Sequence, residues 1–269
     1  MELGEPIRSA QNAKLKAVRA LRAGKERGAT VLEGRHLLEE ALDNDVAISW
    51  VLVPEDHQLP SDLLQRTVTA GIEIASCENS LLAEVSRLEG IPDLLAWALR
   101  PRGNWRAALG RSTAKDWWLV AGGVQDPGNL GALVRVAAGF GAAGVLCLKG
   151  GGSPWHPRAL RGAAGTTFRL PVFERIEVDE FLAAAAELKV DLWATAADGE
   201  AINPGAAASR ARPVALLMGE EGRGLSGELF EACSRRVGIS LERGVESLNV
   251  ATAAAVLAAS MRVPPESQS

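Results

Sequence analysis

Tyrosine is missing from the 269 residues, and aromatic side chains of all kinds make up only 4%. With 47% hydrophobic residues, the cores have to be aliphatic and alanine-rich rather than aromatic. Cysteine is also scarce. Cys77, Cys147 and Cys233 stand far apart without metal-type spacing, which argues against a zinc site and fits free thiols in a reducing compartment, each filling a small apolar position. No metal is expected. Long charge-free apolar runs are absent as well, so no segment is expected to span a bilayer. The first residues, MELGEPIRSAQNAKLK, have no apolar secretory core, and a cytoplasmic location is the expectation. The length is comfortable for two domains, each able to bury a real core.

The formal net charge of -4 argues, as an average, against a nucleic-acid partner. Local runs differ from the average. Arg8, Lys14, Lys16, Arg19, Arg22, Lys25, Arg27 and Arg35 are opposed over their stretch only by Glu26 and Glu33, and Arg100, Arg102, Arg106, Arg111 and Lys115 by no acid. Such clusters are what phosphate contacts require, although composition alone favours a solvated helix face.

Apolar spacing at Leu15, Val18 and Leu21 predicts a basic amphipathic helix within residues 9–28. Strand and helix patterns then alternate to about residue 97, a first α/β unit. The stretch RPRGNWRAALGRSTAKD combines turn residues and charge with little periodicity, so residues 101–115 are expected to be a linker between a domain over 1–100 and one over 116–262, with a disordered tail at 263–269. From Trp117 onward, continuous apolar strands alternate with helices, the pattern of a parallel sheet covered on both faces. Trp117 and Trp118 fall in a strand and read as core, whereas Trp155 is the better candidate to stack on a base. His36, His57 and His156 read as non-catalytic.

Open parallel sheets bind ligands outside the carboxyl ends of their strands, so the segments after the strands carry the functional information. Three stand out. QDPGNLGALVR follows the first strand, GEEGRGLS follows VALLM, and ISLERGVESLNVA follows RVG. Each has a local explanation: Asp126 to Asn129 as a turn and helix cap, Gly222 and Gly224 as positive-φ positions, Ser247 as a cap. The first resembles a dinucleotide turn, but the G-x-G-x-x-G fingerprint with its following acidic residue is absent, which excludes a nicotinamide oxidoreductase.

Taken together and in this order, the segments resemble the three motifs of the SpoU or TrmH-type RNA ribose methyltransferases of the SPOUT superfamily: D-P-x-N-x-G-x-x-x-R, G-x-E-G-x-G-L-S and I-x-L-x-x-x-V-E-S-L-N-V-A. PRALRGAAGTTFRLPVF between the first two is similar to a further family segment, and LEGRHLLEEAL to the small substrate-binding domain often attached. The resemblance implies S-adenosylmethionine as methyl donor and an α/β fold in two parts. These are a C-terminal parallel-sheet domain with a deep trefoil knot and a smaller N-terminal α/β (L30e-like) domain. It also implies a homodimer with the site near the subunit interface. Carried over residue by residue, Gly219, Ile239, Leu241 and Leu248 contact the cofactor, and Asn129, Arg135, Glu221, Ser247 and Asn249 form the catalytic set. Asn12 and Lys16 stand where related rRNA enzymes often have Asn and Lys, and with Lys14, Arg19, Arg22 and Arg35 they form the expected RNA contact.

A ribose hydroxyl is a poor nucleophile until a base accepts its proton or a cation stabilises the alkoxide. The family assigns Arg135 as the base, but a guanidinium keeps its proton at neutral pH, which favours Arg135 as an electrostatic group on phosphate or alkoxide and Glu221 as the proton acceptor or as the arginine's partner. Two departures stand out: Ser240 replaces the family's usual proline, and Glu220 a small or amide residue. Large-subunit ribosomal RNA is the expected substrate, transfer RNA the runner-up, and an antibiotic-resistance role is also open. A non-catalytic RNA-binding assembly protein is the alternative from another class.

Overall fold

A computed structural model describes residues 4–87, 90–202 and 210–261. The chain divides into two compact units, 1–102 and 103–269. The expected tail at 263–269 lies outside the described residues.

In the first unit the elements are α1 (Ala13–Arg22), β1 (Ala29–Glu33), α2 (Arg35–Asp43), β2 (Ile48–Pro54), α3 (Ser61–Thr69), β3 (Glu73–Cys77), α4 (Asn79–Val85) and β4 (Leu95–Leu99). The sheet order is β1-β4-β2-β3, with β4 antiparallel to both neighbours and β2 parallel to β3. Leu15 and Val18 of α1 are fully buried against this sheet, as their spacing predicts. β4 is a departure from the sequence reading. Its apolar run follows a Pro-Asp turn and sits where the domain was expected to end, yet it is a central strand.

The second unit contains α5 (Trp105–Leu109), β5 (Trp117–Gly122), α6 (Pro127–Gly139), β6 (Gly144–Leu148), α7 (Pro157–Gly162), β7 (Val172–Ile176), α8 (Val178–Glu187), β8 (Asp191–Ala201), β9 (Val214–Gly219), α9 (Gly227–Glu231), β10 (Arg235–Gly238) and α10 (Val250–Met261). Six strands in the order β10-β8-β9-β5-β6-β7 pair in parallel throughout. Alternate residues of β5 feed opposite cores. Trp117, Leu119 and Ala121 pack with α6 and α10, whereas Trp118 and Val120 pack with α8, α9 and Leu109. Full burial of one such large side chain contributes about 1.5–3 kcal/mol, which is why β5 and β9 are apolar at every position. The stretch expected as a linker contains α5, whose Leu109 is buried in the second of these cores, and Ser112, whose Oγ accepts from Trp118 Nε1 at 2.8 Å. The chain steps from β5 through β6 to β7, then crosses to β8 on the far side, so the strand order reverses between β5 and β9. Loops leaving these two strands flank the crevice where open sheets of this kind take ligands.

Candidate active site

The first loop leaves β5 and is captured at once by a helix cap. Asp126 accepts the amide of Asn129 at 2.9 Å, and Pro127 supplies the preset φ of the first turn. The nucleotide-like glycine pattern then has a packing cause. A Cβ at Gly131 would lie 2.1 Å from the carbonyl oxygen of Ala159, and one at Gly162 would lie 2.9 Å from that of Gly128, so α6 and α7 touch backbone to backbone.

After β9 the chain folds back on itself. Glu220 and Gly224 exchange backbone hydrogen bonds of 2.9 and 2.8 Å, Gly222 and Gly224 take positive φ, and a Cβ at Gly219 would meet the backbone of Gly224 at 2.3 Å. This turn projects Glu221 into solvent while Gly219 stays buried at the strand end. Glu220, the unusual residue, is half-buried within the turn, and Arg223 is exposed. After β10, residues 239–249 carry Ile239, Leu241 and Leu248, all half-buried, with Ile239 packed on the α6/α10 core; Ser240 and Ser247 are exposed. Asn249 caps α10, its Oδ1 accepting from Ala251 N at 2.9 Å and Thr252 N at 3.4 Å.

The three loops meet through side chains. Asn129 Nδ2 donates to Glu221 Oε1, and Asn249 Nδ2 donates to Asn129 Oδ1 at 2.9 Å. The helix cap fixes the orientation of both amides. Since Asn249 uses its oxygen on α10, its NH2 faces Asn129, whose own NH2 must therefore face the carboxylate. One N–H on each amide and the second oxygen of Glu221 are left available to a ligand.

Arg135 is not part of this chain of bonds. It lies six residues beyond Asn129 on α6, about 9 Å along and about 120° around the helix axis. It is exposed and has no hydrogen bond or ion pair among the described residues. The anticipated Glu221–Arg135 pairing is thus replaced by Glu221–Asn129.

The cations of α1 are differently placed. Asn12 is the N-cap, accepting from Lys14 N at 2.9 Å. Lys14 pairs with Glu73 at 2.7 Å and Arg19 with Glu84 at 3.0 Å, while Lys16 and Arg35 are exposed. Arg22 corrects the sequence reading. Its side chain is 11% exposed and bonds Glu33, 2% exposed, at 2.7 Å; burial lowers its pKa against the opposing pull of that carboxylate. A guanidinium held there does not face RNA. Trp155 is also corrected, being buried beside Phe168 with ring centroids 6.3 Å apart, so the base-stacking role is lost. Trp117 and Trp118 are core, and His156 caps α7 through its ring nitrogen. Burial pushes the Cys77 and Cys233 thiols up to about 11 and raises Cys147 further, which suits packing rather than nucleophilic work. Among the described residues no group of three or more His, Cys, Asp or Glu could hold a metal, and no helix is long and apolar enough to cross a membrane.

A parallel sheet whose polar loops gather at the carboxyl edge, beside the reversal of strand order, defines an α/β enzyme with its site at that edge. A family model described as the SpoU rRNA methylase family matches residues 116–259, and the MRM3-like substrate binding domain matches residues 12–96. The 23S rRNA (guanosine(2553)-2'-O)-methyltransferase RlmP of Bacillus subtilis (strain 168) is 32% identical over 262 residues, covering 95% of this chain and 98% of the relative. The chain belongs to the SpoU rRNA methylase family. Among solved structures, an RNA 2'-O ribose methyltransferase is 27% identical with a TM-score of 0.73, covering 94% of this chain and 96% of that one. The SpoU methyltransferase AviRb from Streptomyces viridochromogenes, solved in complex with the cofactor AdoMet, is 22% identical with a TM-score of 0.80, covering 93% and 97%, and shares the fold.

Proposed function

We propose that the protein transfers a methyl group from S-adenosylmethionine to a ribose 2′-hydroxyl of ribosomal RNA, with large-subunit RNA as the substrate. The observation that carries this reading is the hydrogen-bonded chain Glu221–Asn129–Asn249, which joins the three loops at the strand ends and keeps one acceptor and two donors open. A ribose hydroxyl needs that pairing: an acceptor for its proton and neutral donors to hold the adjacent oxygen.

The residues fit the cofactor. Ile239, Leu241 and Leu248 offer half-buried apolar surface and loop backbone groups, and Gly219 the buried end of β9, the surroundings an adenine requires. When bound, S-adenosylmethionine supplies an activated methyl group. Glu221 accepts the hydroxyl proton on its free oxygen, Asn129 and Asn249 orient the ribose, and Ser247 adds a hydroxyl from the same loop. Arg135, exposed and without a partner among the described residues, binds a backbone phosphate beside the reacting sugar. Exposed Lys16 and Arg35, together with the ion-paired Lys14 and Arg19, contribute RNA attraction from the first unit, in which Asn12 sets the start of α1.

The reading extends to a knotted C-terminal domain, a cytoplasmic setting and a homodimer. The dimer is supported by α10, built of Val, Ala, Thr, Leu, Ser and Met alone, with Val256 47% exposed and Val245 before it 52% exposed. The test is transfer of labelled methyl from S-adenosylmethionine to total ribosomal RNA, followed by mapping of the modified sugar. Arg135→Ala is expected to lose at least about tenfold in kcat/KM; transfer at the wild-type rate removes Arg135 from the site.

A further inference from the structure

The first unit holds a cavity of about 210 Å³ between the start of α2 and the segments at 57–60 and 93–94. Its floor is apolar: Leu94 is 0% and Leu59 8% exposed. Its rim carries Arg35, His57 and Gln58, all exposed, and the carboxylate of Asp93. Asp93 Oδ2 accepts the backbone amide of Arg35 at 3.4 Å, and Oδ1 takes no hydrogen bond among the described residues. An apolar floor, a carboxylate with a free oxygen and flanking cationic or amide side chains match the two faces and the N–H edge of a heterocyclic base. The volume is below the roughly 300–1,000 Å³ of pockets that enclose drug-sized ligands, so it admits one ring system rather than a whole cofactor. A phosphate is disfavoured by the carboxylate itself.

Resting on the proposed action on RNA, we infer that this cavity reads one unpaired nucleobase of the substrate, away from the base whose ribose is methylated. Specific RNA recognition works mainly on bases splayed from loops and bulges, stacked on flat side chains and bonded along their edges. Asp93 accepts from the base edge, and guanine, with adjacent ring and exocyclic N–H groups, fits a carboxylate most fully. Arg35 and His57 cover the face of the base or hold the phosphate beside it. The internal ion pairs of α1 strengthen the assignment, because Lys14, Arg19 and Arg22 already answer Glu73, Glu84 and Glu33.

The experiment measures binding of the full chain to fluorescein-labelled RNA hairpins that share one stem and differ at a single loop position, carrying guanine, adenine, cytosine, uracil or no base. The guanine hairpin is expected to bind about tenfold tighter than the abasic one, within the range of a single base contact. Asp93→Asn and, on an exposed segment, His57→Ala should each reduce that preference at least threefold while S-adenosylmethionine affinity stays unchanged. Equal affinity across the five hairpins, or a preference intact in both variants, overturns the inference. Methyl transfer by the unaltered protein to ribosomal RNA separates the two ideas: transfer with a flat hairpin series sinks the base pocket alone, whereas no transfer sinks the proposed function.

Discussion

In the first unit the cations of α1 answer carboxylates of the same unit, Lys14 to Glu73, Arg19 to Glu84 and Arg22 to Glu33. At the carboxyl edge of the second unit, Glu221, Asn129 and Asn249 also bond to one another, yet each retains bonding capacity toward solvent. Both regions are rich in polar groups. The first uses them mainly to fix α1 on its sheet, and the second uses them to present a fixed but incomplete pattern that a ribose can complete. Charge density therefore points less directly to function than unused hydrogen-bonding capacity does.

The sharpest way to break that contrast is Asn129→Ala, which cuts the chain of bonds at its centre. Methyl transfer should fall about 10²–10³-fold, the range for losing one preorganised catalytic hydrogen bond, with little change in urea stability because the site is exposed. A comparable fall in stability would make Asn129 a structural residue and erase the distinction.

Arg22→Ala probes the other side. Glu33 is 2% exposed and would stay buried with, among the described residues, Ser86 Oγ and Arg87 N as its remaining donors, so the expected loss is about 3 kcal/mol in denaturant unfolding, the low end for breaking a buried pair. RNA affinity corrected for the unfolded fraction should be unchanged. A specific loss of RNA binding without loss of stability would return Arg22 to the RNA contact.

The smallest effect belongs to Lys16, exposed and without a partner among the described residues. Lys16→Ala should weaken RNA binding by a few fold and reduce the salt-dependence slope by about 1, the signature of one lost phosphate contact. An unchanged slope would leave α1 with a purely structural role.

Most of the second unit was legible because its strands are continuous apolar runs and its three loops carry polar residues at fixed offsets. What joins those loops was not legible. Asn129 and Glu221 are 92 residues apart, and Asn129 and Asn249 are 120, so no local spacing encodes their contact. β4 was missed because a short apolar run after Pro-Asp offers no period long enough to separate a strand from a boundary. Arg22 was misjudged for a related reason: helical spacing reports which residues share a face, but the acid it meets, Glu33, comes from β1. Trp155 is buried because Phe168, thirteen positions away, folds back onto it. The separation between Asn129 and Arg135 was readable in principle, since six helical residues fix both the rise and the turn.

The close contact of α6 with α7 has a mechanical consequence. At Gly128, Gly131 and Gly162 the two helices meet through main chain, with no rotatable side chain between them. Such a contact has no alternative rotamers to sample, so α6 is mounted as on a machined seat. The amide of Asn129, set between Gly128 and Gly131 of that seat, inherits its accuracy. A side chain wedged into the seat should first show itself as scatter in the placement of the sugar, before the sheet beneath gives any sign of unfolding.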